Sequence, residues 1–481
     1  MACTTILVGK NASYDGSTMI ARNDDSGSGH FTAKKFTVFQ PQDYPAVYKS
    51  VISGVEIPLP GDGLRMTAVP NAVEGKGLWA ASGVNAANVG MTATETITSN
   101  PRVLGADPLV KGGIGEEDIV YLVLPYVRTA REGARRLGSL LEQYGTYEMN
   151  GIAFQDVDEI WWLETIGGHH WMARRVPDDV YVVMPNQLGL DTLDLDDALG
   201  EQKDFMCSAD LRDFIKKYHL DLSQDGVLNP RDTFGSHDDA DHVYNTPRAW
   251  YMLRYFNPNT FVWDGPDADF TPRSDDLPWC MVPERKITVE DVKYVLSSYY
   301  QGTEYNPYNR HGDLTHRGMY RPIGINRNNF VAITQLRPYM PHDLQGVEWI
   351  AVGSNAFNEA VPFYAHVNAT PAYLADTTGT VTTESFYWAN RLIAAMADAH
   401  YPACIAHVER YQLALSSIGH AMLKGFDGQY LAAPEQDAAA YLTACNQQMA
   451  DKARELTDDL LSKVLFSASM EMKNGFARSD S

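Results

Sequence analysis

Cysteine is scarce. The chain of 481 residues has five, Cys3, Cys207, Cys280, Cys404 and Cys445. They are far apart and form no Cys-x-x-Cys pair, so neither a zinc cage nor a disulfide framework is indicated. Sparse thiols in a long chain suit a reducing compartment, and a cytoplasmic location is expected. No apolar run is long enough for a membrane-spanning helix. The start has no basic segment leading into an apolar core, so no signal peptide is read there. Positive charge is also short, with 39 Lys and Arg against 61 Asp and Glu and a net charge of −22. Such a surface repels phosphates and anionic lipid, so neither nucleic acid nor membrane is an expected partner. Walker A and Gly-x-Gly-x-x-Gly patterns, internal repeats and low-complexity tracts are all missing, which leaves nucleotide chemistry without support.

What the chain does have is concentrated at its start. Cys3 opens the apolar run Thr4-Thr5-Ile6-Leu7-Val8, read as a buried strand. A turn rich in Asn, Ser, Asp and Gly follows, and then a return strand, Gly16 to Ala21, delivers Arg22-Asn23-Asp24-Asp25 to the end of a hairpin. If Met1 and Ala2 are removed, Cys3 carries a thiol and a free α-amine that titrates at about pH 7.7–8.0 when unperturbed. Nucleophile and base then lie in one residue. An Arg beside the thiol favours the thiolate, and an Asp at the hairpin end accepts a hydrogen bond from the amine. The plainer alternatives are a cysteine buried as a small hydrophobe and a polar turn with a surface ion pair.

Cysteine, strand, turn and Arg-Asn-x-Asp together resemble the N-terminal-nucleophile hydrolases of the choloylglycine hydrolase and penicillin V acylase group. The wording Ala-Cys-Thr-Thr-Ile-Leu-Val-Gly-Lys is similar to the related dipeptidase A type cysteine dipeptidases. The resemblance implies an α+β fold of the four-layer αββα sandwich type over residues 1–380. Residues 381–481 are expected as a C-terminal helical region packed on it. It implies hydrolysis of dipeptides through an acyl-enzyme on Cys3, with Arg22, Asp25, Asn186 and Arg248 completing the catalytic set and no metal or organic cofactor. The rivals are an N-acyl amide hydrolase of the penicillin or bile-conjugate type, and a non-catalytic relative of the same fold.

Further along, the expected elements are short strands up to residue 97, including Gly77–Ser82 and Val89–Ile97. Two helices are expected over 116–144, broken at Pro125 and Gly133. Strands near 151–154, 159–164, 169–175 and 180–184 follow, then a helix over 205–220. At the end of Val89–Ile97 the acylase relatives carry an Asn oxyanion donor. Here Thr94-Glu95-Thr96 stands in its place, and Glu95 is a candidate contact for a substrate ammonium. Asn186, in a turn after a strand, presents an amide to an oxyanion, unless it serves only the turn. Thr246-Pro247 reads as a helix start that puts Arg248 in the first turn. The aperiodic stretch 302–321 offers Arg317 and Arg321, with His311 and His316, as a wall for a substrate carboxylate. His169 and His170, on opposite faces of one strand, are not expected to share a metal. Three Ala- and Leu-rich helices, 386–399, 403–423 and 435–466, cover the core or form an interface, and a homo-oligomer is expected.

Overall fold

The computed structural model describes residues 3–434 and 437–475; the side chains of residues 93–95 lie outside that set. Two antiparallel sheets face one another. The first runs β10-β8-β1-β2-β11-β12-β13, built from β1 (Thr4–Val8), β2 (Thr18–Asp25), β8 (Tyr181–Met184), β10 (Cys280–Met281), β11 (Asn328–Leu336), β12 (Gly346–Val352) and β13 (Val361–Tyr364). The second runs β9-β7-β6-β5-β4-β3, from β3 (Ser82–Val84), β4 (Gly90–Thr96), β5 (Asn150–Gln155), β6 (Ile160–Thr165), β7 (Trp171–Val176) and β9 (Phe205–Cys207).

Every residue of β1 and β2 is buried, so neither strand alternates apolar and polar, and the Arg22-Asn23-Asp24-Asp25 end of β2 is buried with the rest. Both faces are covered. Ile6, Val8, Met19 and Ala21 share a core with Met252 and Leu253 of α3 (Thr246–Phe256) and Val292 of α4 (Val289–Leu296). Leu7 and Ile20 point the other way, toward Ala153, Trp162 and Met172 of the second sheet. The outer face of that sheet packs Phe154, Trp161 and Leu163 against Leu122 of α1 (Glu116–Val123) and Leu137 and Leu141 of α2 (Ala130–Tyr144). The order is helices, sheet, sheet, helices. The two sheets are also tied directly, Gln155 Nε2 donating to the Thr334 carbonyl at 3.1 Å.

The C-terminal helices α5 (Phe386–Ala399), α6 (Tyr401–Ala432) and α7 (Ala438–Met470) join the core of the first sheet. Asn446 of α7 exchanges bonds with both backbone groups of Tyr364, at 2.8 and 2.9 Å. Arg337 pairs with Asp427 at 2.6 Å, locking α6 to the end of β11.

Several local expectations change. Residues 77–81 form no strand: Trp79 has φ 49°, the left-handed region, and pairing begins only at Ser82. Gly133 does not break a helix. It lies inside α2, where an added Cβ would come within 2.5 Å of the Phe154 ring; the glycine permits close packing. Residues 205–207 pair with β7 as an edge strand before a helix over Leu211–Lys217. His169 and His170 precede β7, and both ring Nδ1 atoms bond the Asp107 carboxylate, at 3.0 and 2.7 Å. They serve a turn instead of standing on opposite strand faces. Thr246 does not cap α3; it is the first helical residue, and its hydroxyl donates to the Pro272 carbonyl. Helix α6 continues through Gly425 and Gly428 because it is buttressed by α7.

Glu348 of β12 is wholly buried, and burial pushes its carboxyl up to about 7, the Thr67 hydroxyl offsetting only part of this. Unfolded, it ionises at about pH 4.3. The folded state therefore holds the proton more tightly, and stability falls as pH rises from the unfolded value through about 7. Glu348→Gln is expected to leave the melting temperature nearly unchanged at pH 4, below the unfolded value. At pH 8 it should add up to roughly 3 kcal/mol, at about 1.36 kcal/mol per pKa unit. Thermal melts of both proteins at the two pH values check this.

Candidate active site

The β1–β2 hairpin builds the site. The pairing Thr4↔Asn23 and Thr5↔Arg22 sets Cys3 across from Asp24 at the open end. Strand alternation then puts Cys3, Arg22 and Asp24 on the face toward the second sheet, and Thr4, Asn23 and Asp25 on the helix face. Arg22 Nη2 donates to Cys3 Sγ at 2.8 Å. The same nitrogen reaches Asp24 Oδ1 at 3.1 Å and Glu116 Oε1 at 2.6 Å. Asp24 is further held by Lys34 Nζ at 3.4 Å and Asn329 Nδ2 at 2.9 Å. Burial alone would raise the Asp24 carboxyl, but Lys34 and Arg22 outweigh it and hold it below its ordinary range. Burial lowers the Lys34 ammonium, and Asp24 offsets only part of that.

The helix face holds the Cys3 backbone in place. Arg248, wholly buried in the first turn of α3, donates to the Cys3 carbonyl and, at 2.7 Å, to Thr4 Oγ1. Its other arm donates to Asn186 Oδ1 and Asn245 Oδ1, both at 2.7 Å. The contact orients the Asn186 amide with its NH₂ away from the guanidinium. Asp25 is bound by Arg321 and, at 2.9 Å, by Asn328. Burial raises its carboxyl above the usual range, Arg321 offsetting only part. Tyr244 lies between the two arginines, its ring 5.2 Å from Arg248 and 5.1 Å from Arg321.

The expected residues are therefore divided. Cys3 and Arg22 meet directly. Arg248 grips the Cys3 backbone carbonyl. Asn186 is joined to Cys3 through Arg248. Asp25 is on the opposite strand face from the thiol, and Arg321, expected in a wall for a substrate carboxylate, is buried and bonded to it. Arg317 is exposed and donates to the Asn309 carbonyl at 3.1 Å. The Glu95 side chain is outside the described residues. Glu116, Lys34, Asn328 and Asn329 were not anticipated. Glu116 stands in Glu116-Glu117-Asp118, which reads as the acidic first turn of a helix. Asp118 does serve that turn, accepting from the Gly115 N–H at 2.9 Å. All three acids are buried, and spacing alone cannot tell a buried acidic turn from a solvated one.

Oxygen atoms of Asp24 and Glu116 and the Cys3 sulfur lie within 4.8 Å of one another, a spacing a metal ion could use. Arg22 Nη2 already bonds all three, so the guanidinium supplies the positive charge there. Beside Asp24 and Lys34 opens a cleft of about 540 Å³, lined also by Phe31, Trp79, Asn329 and Trp388.

Removing the Arg22 charge leaves two carboxylates beside the thiol, which disfavour the thiolate. In Arg22→Gln the midpoint of the pH dependence of Cys3 alkylation is expected to rise by about one unit or more. Arg22→Lys, which keeps the charge, should rise less. Rates with iodoacetamide, on protein shown folded by circular dichroism, measure both.

The sequence was compared with known families and proteins. The model of "Peptidase family C69" matches residues 2–414. The chain is 54% identical over 532 residues to "Dipeptidase" of Bifidobacterium longum (strain NCC 2705), covering 100% of each. It is 53% identical over 481 residues to "Probable dipeptidase A" of Streptococcus pyogenes serotype M3 (strain SSI-1), again covering 100% of each. It is 43% identical over 469 residues to "Dipeptidase A" of Lactobacillus helveticus, covering 96% of each. With a matching family model over most of its length and relatives aligned end to end, the chain belongs to peptidase family C69.

Proposed function

We propose that the protein is a cysteine dipeptidase whose nucleophile is Cys3, exposed by removal of Met1 and Ala2. The observation that carries the reading is the 2.8 Å contact from Arg22 Nη2 to Cys3 Sγ at a fully buried strand end. The dipeptidase names of relatives matched along their whole length support the substrate class.

In this mechanism the Cys3 sulfur attacks the scissile carbonyl carbon and its proton passes to the α-amine of the same residue. The tetrahedral oxyanion is met by donors that include the Asn186 amide. The C–N bond breaks, the proton moves from the α-ammonium to the leaving amine, and the second amino acid departs. Water, giving its proton to the α-amine, then cleaves the thioester and restores the thiol. Asp25 and Arg248 act at the chain end, where the amine forms: Arg248 fixes the Cys3 carbonyl, and Asp25 holds the amine. Three further parts of the proposal rest on other observations. Cytoplasmic placement fits the five free cysteines. A homo-oligomer fits the exposed Leu413, Leu431, Leu465 and Phe466 on α6 and α7. The absence of a nucleic-acid or membrane partner fits the net charge of −22; among the described residues no helix is long and apolar enough to cross a membrane.

Cys3→Ala is expected to lose dipeptide hydrolysis while retaining the wild-type circular dichroism spectrum, and Cys3→Ser to keep a trace. Mass spectrometry of the active protein should find Cys3 at its N-terminus. Near-wild-type turnover by Cys3→Ala would overturn the reading. EDTA should leave turnover unchanged because Arg22 supplies the charge at the nucleophile; loss of activity that zinc restores would count against the mechanism.

A further inference from the structure

Glu116 has more acceptor capacity than its surroundings use. Its side chain is 1% exposed, and Oε1 is bound by Arg22 at 2.6 Å. Among the described residues Oε2, also buried, has no hydrogen-bond partner. A buried carboxylate oxygen without a donor is costly, and one in the same cluster as the nucleophile is well placed to receive a donor that comes with the substrate. The neighbourhood is rich in acid. The Glu116 N–H donates to Glu148 Oε1 at 2.6 Å, and Glu148 is pushed up to about 7 by burial and by the Glu116 charge. Glu117 and Asp118 follow on the same buried turn. The cations beside this cluster, Arg22 and Lys34, are both engaged by Asp24. The surplus is negative, and it suits a positive ligand group.

We infer that Glu116 receives the α-ammonium group of the substrate's first residue, so that a free amino end is what the site selects. This rests on the dipeptidase reading above and specifies its substrate end. The geometry fits. An acyl carbon in position for attack lies about 3–3.5 Å from the sulfur. The α-nitrogen is only two bonds further, about 2.5 Å across N–Cα–C. A charge-assisted N–H···O contact adds about 2.8 Å. A carboxylate no more than 4.8 Å from Cys3 Sγ is therefore within reach of that nitrogen while the carbonyl faces the sulfur. An N-acylated substrate has no ammonium and leaves Glu116 unpaired, which separates this site from one built for N-acyl amides.

The test uses Cys3→Ala produced without Met1 and Ala2, so that residue 3 is its N-terminus, which binds without turning over. Calorimetry compares a dipeptide with its N-acetyl form, in Cys3→Ala alone and with Glu116→Gln added. The expected result is that Glu116→Gln weakens dipeptide binding ten-fold or more and leaves N-acetyl dipeptide binding within two-fold. Unchanged dipeptide binding, or equal weakening of both ligands, would remove Glu116 from ammonium recognition. If Cys3→Ala binds no dipeptide at all, the proposed function fails instead, and the two failures are told apart. A second measurement uses the Cys3 protein with Glu116→Gln. There the dipeptide KM should rise ten-fold or more, whatever kcat does as Arg22 loses one of its three acceptors. A fall in kcat alone would mean that Glu116 acts on the thiol through Arg22, which overturns the proposal.

Discussion

One guanidinium nitrogen organises this protein. Arg22 Nη2 carries two N–H groups, yet three acceptors stand within 3.1 Å of it: the Cys3 sulfur, Asp24 and Glu116. The acceptors compete for it, and the share that the sulfur receives sets how readily it ionises. Lys34 and Asn329 bear on this from outside by binding the second oxygen of Asp24. They hold Asp24 as an anion with bonds of its own. Buried charges such as these persist only when each has its counter-charge in place, so the ion cluster and the β1–β2 register stand or fall together. A one-residue slip would turn Arg22 to the helix face and Asn23 toward the sulfur.

The sandwich supplies the setting. Covering β1 and β2 on both faces removes water from the pair, which strengthens electrostatic effects there. It also lets one hairpin present two kinds of group at one end. The sulfur and its arginine face the second sheet, and the backbone anchors face the helices. Asn23, between Arg22 and Asp24, illustrates the division. Its amide donates to the Leu296 and Ile323 carbonyls at 2.8 and 3.1 Å and accepts from Asn355 at 2.9 Å. It fastens the hairpin to the helical layer without touching the thiol.

Much of this was legible in the sequence, and the exceptions have identifiable causes. The hairpin was readable because β1 and β2 pair locally across a polar turn, in which Asp15 accepts from Ser13 and from the Ser17 N–H at 2.9 and 3.1 Å. The layer order followed from family resemblance more than from periodicity, since strands buried on both faces carry no alternation. Trp79 was misread because apolar residues around a left-handed turn look like a strand. Glu116 and Lys34 were missed because they come from sequence-distant segments, and only folding brings them to Arg22. Asp25 and Arg248 both lie near Cys3, Arg248 bonded to its carbonyl and Asp25 one residue beyond Asp24 on the paired strand. Their partners, Arg321 and Asn328 for Asp25 and the Cys3 carbonyl for Arg248, depend on which strand face each one meets.

That last distinction bears on how a terminal residue can work as a catalyst. A nucleophile that is also the chain end has its amine reserved for proton transfer, so the amine cannot serve as a rigid anchor. The residue must then be fixed through its carbonyl and its neighbour. In the proposed mechanism Arg248 does this, holding the Cys3 carbonyl and the Thr4 hydroxyl with one nitrogen. With its second nitrogen it orients Asn186. In that mechanism a shift of Arg248 would therefore disturb both Cys3 and the Asn186 amide. A lysine has one point of charge and no planar fork. It could satisfy the carbonyl or the amide, but it would lose the geometric coupling between them.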